Sequence, residues 1–100
     1  MEKMKPHYSL VAIKERVAAL GQMAFTSTAL FNSLAMGIAA TEAVDVVLTM
    51  TGTMFYKSMT TKADGSLWQD VYHVPCLNGK IAYVKVTMRD GAVVIQFKER

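Results

Sequence analysis

The order of apolar and polar residues changes character near the middle of this 100-residue chain. Up to about residue 50 the apolar residues recur every three or four positions, and from residue 53 they alternate with polar ones. Leu10, Ile13, Val17 and Leu20 share one face of a helix, with Ser9 as its N-cap and Gly21 just beyond its end. A second helix is expected from Thr28 to Met36, entered through Thr26-Ser27 and stopped by Gly37. A third follows Thr41, with Glu42 and Asp45 near its positive end and Val44, Val47 and Leu48 facing inward.

Three turn signals then appear, Asp64-Gly65, Asn78-Gly79 and Asp90-Gly91. Such pairs favour two-residue hairpin turns, whose central residues both need positive φ. They separate four expected strands, Thr53–Lys62, Leu67–Val74, Lys80–Met88 and Val93–Lys98. Helices followed by a hairpin meander predict an α+β domain over residues 1–100, with an antiparallel sheet covered by helices on one face. In the third strand Ala82, Val84, Val86 and Met88 form the apolar set; in the fourth, Val93, Ile95 and Phe97. That leaves Tyr83, Lys85, Gln96 and Lys98 on the open face. Periodicity does not orient the first two strands. Both Met54/Tyr56 and Phe55/Met59 suit a core, and Gln69 shares a parity with Val71 and His73 while Tyr72 shares one with Asp70.

Composition narrows the possibilities. Hydrophobic residues are 52% and charged residues 19%, which excludes a disordered tail. The net charge of +3 is mild, yet residues 1–50 hold four basic and four acidic residues, against seven and four in residues 51–100. An anion-binding surface is therefore expected in the second half. The single cysteine, Cys76, rules out an internal disulfide framework and is read as inert. Two histidines, His7 and His73, lack metal-ligand spacing, so no metal or other cofactor is expected. The charged start lacks an apolar run behind it, which reads as a cytoplasmic chain without a signal peptide. Val17 to Thr41 carries no charge over 25 residues, but Gly21-Gln22, Thr26-Ser27-Thr28 and Asn32-Ser33 interrupt it; buried helices are expected there, not a membrane span.

No nucleophilic triad, phosphate-binding glycine loop or carboxylate pair stands out. What remains is a sheet face carrying lysines, tyrosines and a glutamine. RNA brings its own nucleophile, the 2′-OH, so such a face needs only to move protons and to hold charge on the phosphate. Pattern alone does not separate these lysines from an ordinary solvated strand. By the same test Trp68 belongs to the core and the methionines fill gaps in packing.

The run Phe55-Tyr-Lys-Ser-Met-Thr-Thr, then Leu67-Trp-Gln-Asp-Val-Tyr and finally Gln96-Phe-Lys-Glu-Arg, resembles the MqsR family of bacterial toxins, the motility and quorum-sensing regulator class of mRNA interferases. The opening Met1-Glu-Lys with Pro6-His7 is similar too; the match is strong over residues 53–100 and loose over 17–50. The resemblance implies a RelE-like fold and a metal-independent endoribonuclease that cuts single-stranded mRNA at GC-containing sites such as GCU. It implies an MqsA-like antitoxin as partner, with DNA reached only through that antitoxin. Carried over by motif, the catalytic set falls on Lys57, Gln69, Tyr83 and Lys98, this chain being one residue longer before the tyrosine. Tyr56, Met59, His73 and Lys85 are the expected substrate contacts. The chain departs from the pattern at His73, where the family has arginine, and around Phe25-Thr-Ser-Thr-Ala-Leu, where the family carries further arginines. Those losses reduce fixed positive charge. They leave open a different reading, a catalytically weakened antitoxin-binding protein that acts mainly as a transcriptional co-regulator of its operon.

Overall fold

The computed structural model describes residues 1–100. The chain begins with a two-residue strand, β1 (Glu2–Lys3), absent from the sequence expectation because so short a segment has no periodicity. Three helices follow: α1 (Leu10–Leu20), α2 (Ser27–Ala35) and α3 (Ala40–Leu48). Short 3-10 turns at Gly21–Ala24 and Gly52–Met54 join them to each other and to the sheet. Strands β2 (Phe55–Thr60), β3 (Trp68–Pro75), β4 (Ile81–Arg89) and β5 (Ala92–Glu99) complete the fold. The architecture is α+β, with one five-stranded sheet in the order β1-β2-β3-β4-β5 and every neighbouring pair antiparallel.

The helix boundaries follow from local chemistry. The Ser9 hydroxyl accepts from the amide of Ala12, and Gly21 leaves α1 with φ 57°, a conformation that costs glycine little. Thr26 Oγ1 accepts from the amide of Ala29 and so starts α2 one residue earlier than expected. At α3 the residue before the helix is Ala39, which has no side-chain acceptor; Glu42 Oε1 instead accepts from the Ala39 amide. The uncharged stretch is thus divided among several short elements. No single helix is long and apolar enough to cross a membrane, and α2 and α3 are bent by 98° relative to each other.

The core lies between the helices and one sheet face. Ile13, Val17, Ala43 and Val47 from the helices meet Tyr72, Val74, Ala82, Val84, Val86, Ile95 and Phe97 from the strands. Each buried valine or larger side chain contributes roughly 1.5–3 kcal/mol relative to exposure. The alternation in β4 and β5 is the one expected. In β3 the even-numbered residues face the helices, including Asp70, which is fully buried. Its carboxylate accepts from the amides of His7 and Tyr8 and from the Ser58 hydroxyl, fastening the segment after β1 beneath the sheet. Trp68 is only half-buried: Lys3 lies over its ring and His7 stacks on it.

Two of the three turn signals form something other than a two-residue hairpin. Only Asp90 and Gly91 both have positive φ, 54° and 78°. At Asn78-Gly79 only the glycine does, because Asn78 is engaged elsewhere: its side chain donates to Met36 O and accepts from the Lys80 amide. Asp64-Gly65 lies in a wider loop, where Asp64 accepts from the Ser66 amide and hydroxyl and pairs with Arg89. The Ser66 hydrogen bonds, before Arg89, hold the Asp64 carboxyl below its usual range.

Candidate functional site

The sheet face away from the helices is left uncovered, and strand register arranges its side chains in rows. One row runs His73, Tyr83, Lys98 across β3, β4 and β5. The next runs Lys57, Val71, Lys85, Gln96 across β2 to β5. A third runs Glu2, Met59, Gln69 across β1, β2 and β3. Rows are about 7 Å apart, two residues of strand, and strands are about 4.8 Å apart. Lys57 and Lys98 therefore start roughly 14 Å apart across the strands, a gap that Lys85 fills.

A bulge explains why β2 could not be oriented from its sequence. Phe55 pairs with Tyr72 and Lys57 with Val71, so Tyr56 is an extra residue on the β2 side. Phe55 packs edge-on against Tyr72 in the core. Tyr56 and Lys57, though consecutive, both reach the open face. Tyr56 stacks on His73 with ring centroids 4.3 Å apart, while His73 and Tyr83 lie 5.6 Å apart and tilted. Register thus places Lys57 and Gln69 on the open face, together with Tyr83, Lys85 and Lys98.

Electrostatics follows from this crowding. Burial pushes the Lys85 ammonium below its ordinary value, and the charges of Lys98 and Lys57 push it further. Lys98 sits with its Nζ 5.0 Å from the centre of the Tyr83 ring. Lys57 Nζ donates to Glu2 Oε2 at 2.8 Å, which holds the lysine above its usual range and the carboxylate below. Burial, then the charge of Arg100, lowers the His73 imidazole. A face that gathers three ammonium groups and relieves one of them only partly is prepared for an anion.

Two hollows cover this face and share Lys85 and Gln96. The first, about 350 Å³, is walled by Thr26, Thr28 and Asn32 at α2 and floored by Tyr83, Lys85, Gln96 and Lys98. The second, about 590 Å³, includes Glu2, Met59 and Gln69 beside Lys85 and Gln96. Together they form a groove of the size that holds small ligands. Lys85, expected as a contact, stands at its centre. Gln69 belongs to the far end, two rows from Tyr83. Nowhere on the molecule do three or more His, Cys, Asp or Glu side chains converge as metal ligands would.

Sequence reasoning missed Glu2 and the α2 wall. Asn32 reaches the sheet because its Nδ2 donates to Phe97 O, and the Phe25–Ile95 bridge ties the start of α2 to the edge of β5. Neither contact has a periodic signature. The resemblance at Met1-Glu-Lys was the one available sign that Glu2 had a place near the face.

Known proteins resemble this chain over its length. The family model described as "Motility quorum-sensing regulator, toxin of MqsA" matches residues 5–99. The chain is similar to the "mRNA interferase toxin MqsR" of Escherichia coli (strain K12), with 37% identity over 100 residues that cover all of both chains. The family model spans β2 to β5 and the open-face residues from Lys57 to Lys98, and the chain belongs to the motility quorum-sensing regulator family, the toxins of MqsA.

Proposed function

We propose that this protein is a toxin of the mRNA interferase class, a metal-independent endoribonuclease that cuts single-stranded mRNA in the bacterial cytoplasm and so stops translation. The observation that carries this reading is the gathering of Lys57, Lys85 and Lys98 around Tyr83 on the uncovered sheet face of a chain in this family. The 2′-OH attacks the adjacent phosphorus, the bond to the 5′ oxygen breaks, and the products are a 2′,3′-cyclic phosphate and a 5′-OH end. Lys57 and Lys98 stabilise the charge that grows on the phosphate oxygens. Tyr83 donates a proton to the departing 5′ oxygen and regains one from water. Gln69 orients phosphate or base through its amide. Tyr56, Met59, His73 and Lys85 hold the strand, with Tyr56 offering a ring for base stacking. An MqsA-like antitoxin is the neutralising partner, and GC-containing sites such as GCU are the preferred targets.

The test uses purified protein and an unstructured RNA with GCU and related triplets, in EDTA. Cuts are mapped by primer extension and their ends tested with polynucleotide kinase. Cleavage leaving 5′-OH ends, lost in Lys57→Ala and in Lys98→Ala, is the expected result. Cutting that survives both substitutions places the chemistry elsewhere. A folded wild-type protein that cuts nothing favours the co-regulator reading.

A further inference from the structure

Cleavage of this kind needs a group that accepts the 2′-OH proton; of the side chains just assigned only the His73 imidazole could serve, and the Tyr56 ring covers it with centroids 4.3 Å apart. Lys57 and Lys98 serve as cations, Tyr83 as a donor, and Gln69 does not titrate. Among the residues lining the two hollows, Glu2 is the only acidic one. Its Cα pairs with Met59 at the edge of the sheet, and its carboxylate turns inward to Lys57 in the next row. Only Oε2 is bound there, and the side chain is 57% exposed, so Oε1 is free of any partner in the protein. Gln69 and Lys85 line the same hollow, whose volume accommodates a nucleotide.

Resting on the nuclease reading of this face, we infer that Glu2 is the proton acceptor of the cleavage reaction. When RNA binds, a phosphate oxygen replaces the carboxylate on Lys57. The carboxylate, no longer held by the lysine, returns toward its ordinary basicity and takes the 2′-OH proton. The 2′ oxygen then forms its bond to phosphorus as the bond to the 5′ oxygen breaks, with Tyr83 supplying that oxygen's proton. Glu2 afterwards loses its proton to water. The ion pair is thus the resting position of two groups that part to act on neighbouring atoms.

The alternative is that Glu2 merely neutralises Lys57, and the two ideas predict opposite signs. Single-turnover cleavage and binding of a 2′-O-methyl version of the same RNA, which cannot be cut, are measured for wild type, Glu2→Gln and Glu2→Asp. A proton acceptor requires Glu2→Gln to cut about 100-fold more slowly while binding the uncut RNA as tightly or more tightly, since a negative charge has gone. Glu2→Asp keeps part of the rate. Glu2→Gln that cuts as fast as wild type, or faster, overturns the inference and makes Glu2 a counter-charge that RNA displaces. A slow Glu2→Gln whose binding and melting temperature both fall also overturns it, leaving Glu2 a support for β1. Wild-type protein that cuts nothing removes the nuclease reading itself, and the role of Glu2 with it.

Discussion

A buried hydroxyl without a partner is uncommon in a folded core, and Tyr72 carries one. Burial, then the charge of Asp70, pushes its phenol up to about 12. The fold therefore favours the neutral phenol. That contribution is complete below the ordinary tyrosine value of about 10 and is lost as pH rises through about 12. Tyr72→Phe is expected to raise stability by about 1 kcal/mol in urea denaturation at neutral pH and to remove this part of the alkaline loss. His73 presents the converse case on the open face, a titratable group held mostly neutral by burial and by Arg100. RNA affinity is expected to rise as pH falls through its depressed value. In His73→Arg that rise disappears, neutral-pH binding tightens, and the salt slope steepens by about 0.7 for one added phosphate contact. Filter binding of uncut RNA across pH and salt checks all three.

Single strands and turns differ in how much of their behaviour is written locally. β4 and β5 alternate without interruption between core and solvent, so Tyr83, Lys85, Gln96 and Lys98 were placed from pattern alone. β2 was not, because the extra residue at Tyr56 breaks the period of two; only pairing with β3 decides which neighbours share a face. β3 was opaque for another reason. All four residues of Gln69–Tyr72 are buried although only one sheet face is covered by helices, so burial does not alternate along it and its sequence marks neither face. The Asn78-Gly79 signal failed as a two-residue turn through a tertiary contact, the bond from Asn78 to Met36. Asp90-Gly91 met no such competitor. There Gly91 combines φ 78° with a donor on its carbonyl, Arg16 Nε at 2.7 Å, and an added Cβ would lie 3.2 Å from Arg16 Nη2. Gly91→Ala is expected to cost about 1–2 kcal/mol, read as a lower urea midpoint with an unchanged slope.

Across the whole molecule, the groove draws on widely separated parts of the chain: Glu2 from β1, Thr28 and Asn32 from α2, and Lys98 from β5. The basic surplus was legible as a property of the second half, yet its concentration on one face is a result of register. β5 also places Ile95 and Phe97 in the core. A chain ending at Arg89 is expected to show no cooperative unfolding and no cleavage, as followed by near-ultraviolet circular dichroism and the RNA assay. The same feature bears on the protein's own synthesis. A ribosome making this chain is reading RNA, and the growing polypeptide is held beside its message. Because the strand that brings Lys98 emerges after the other four, the nascent chain has neither a closed core nor a finished groove until that strand is made. On the nuclease reading, arrangement in sequence order thus separates the making of the groove from any cleavage of RNA in time.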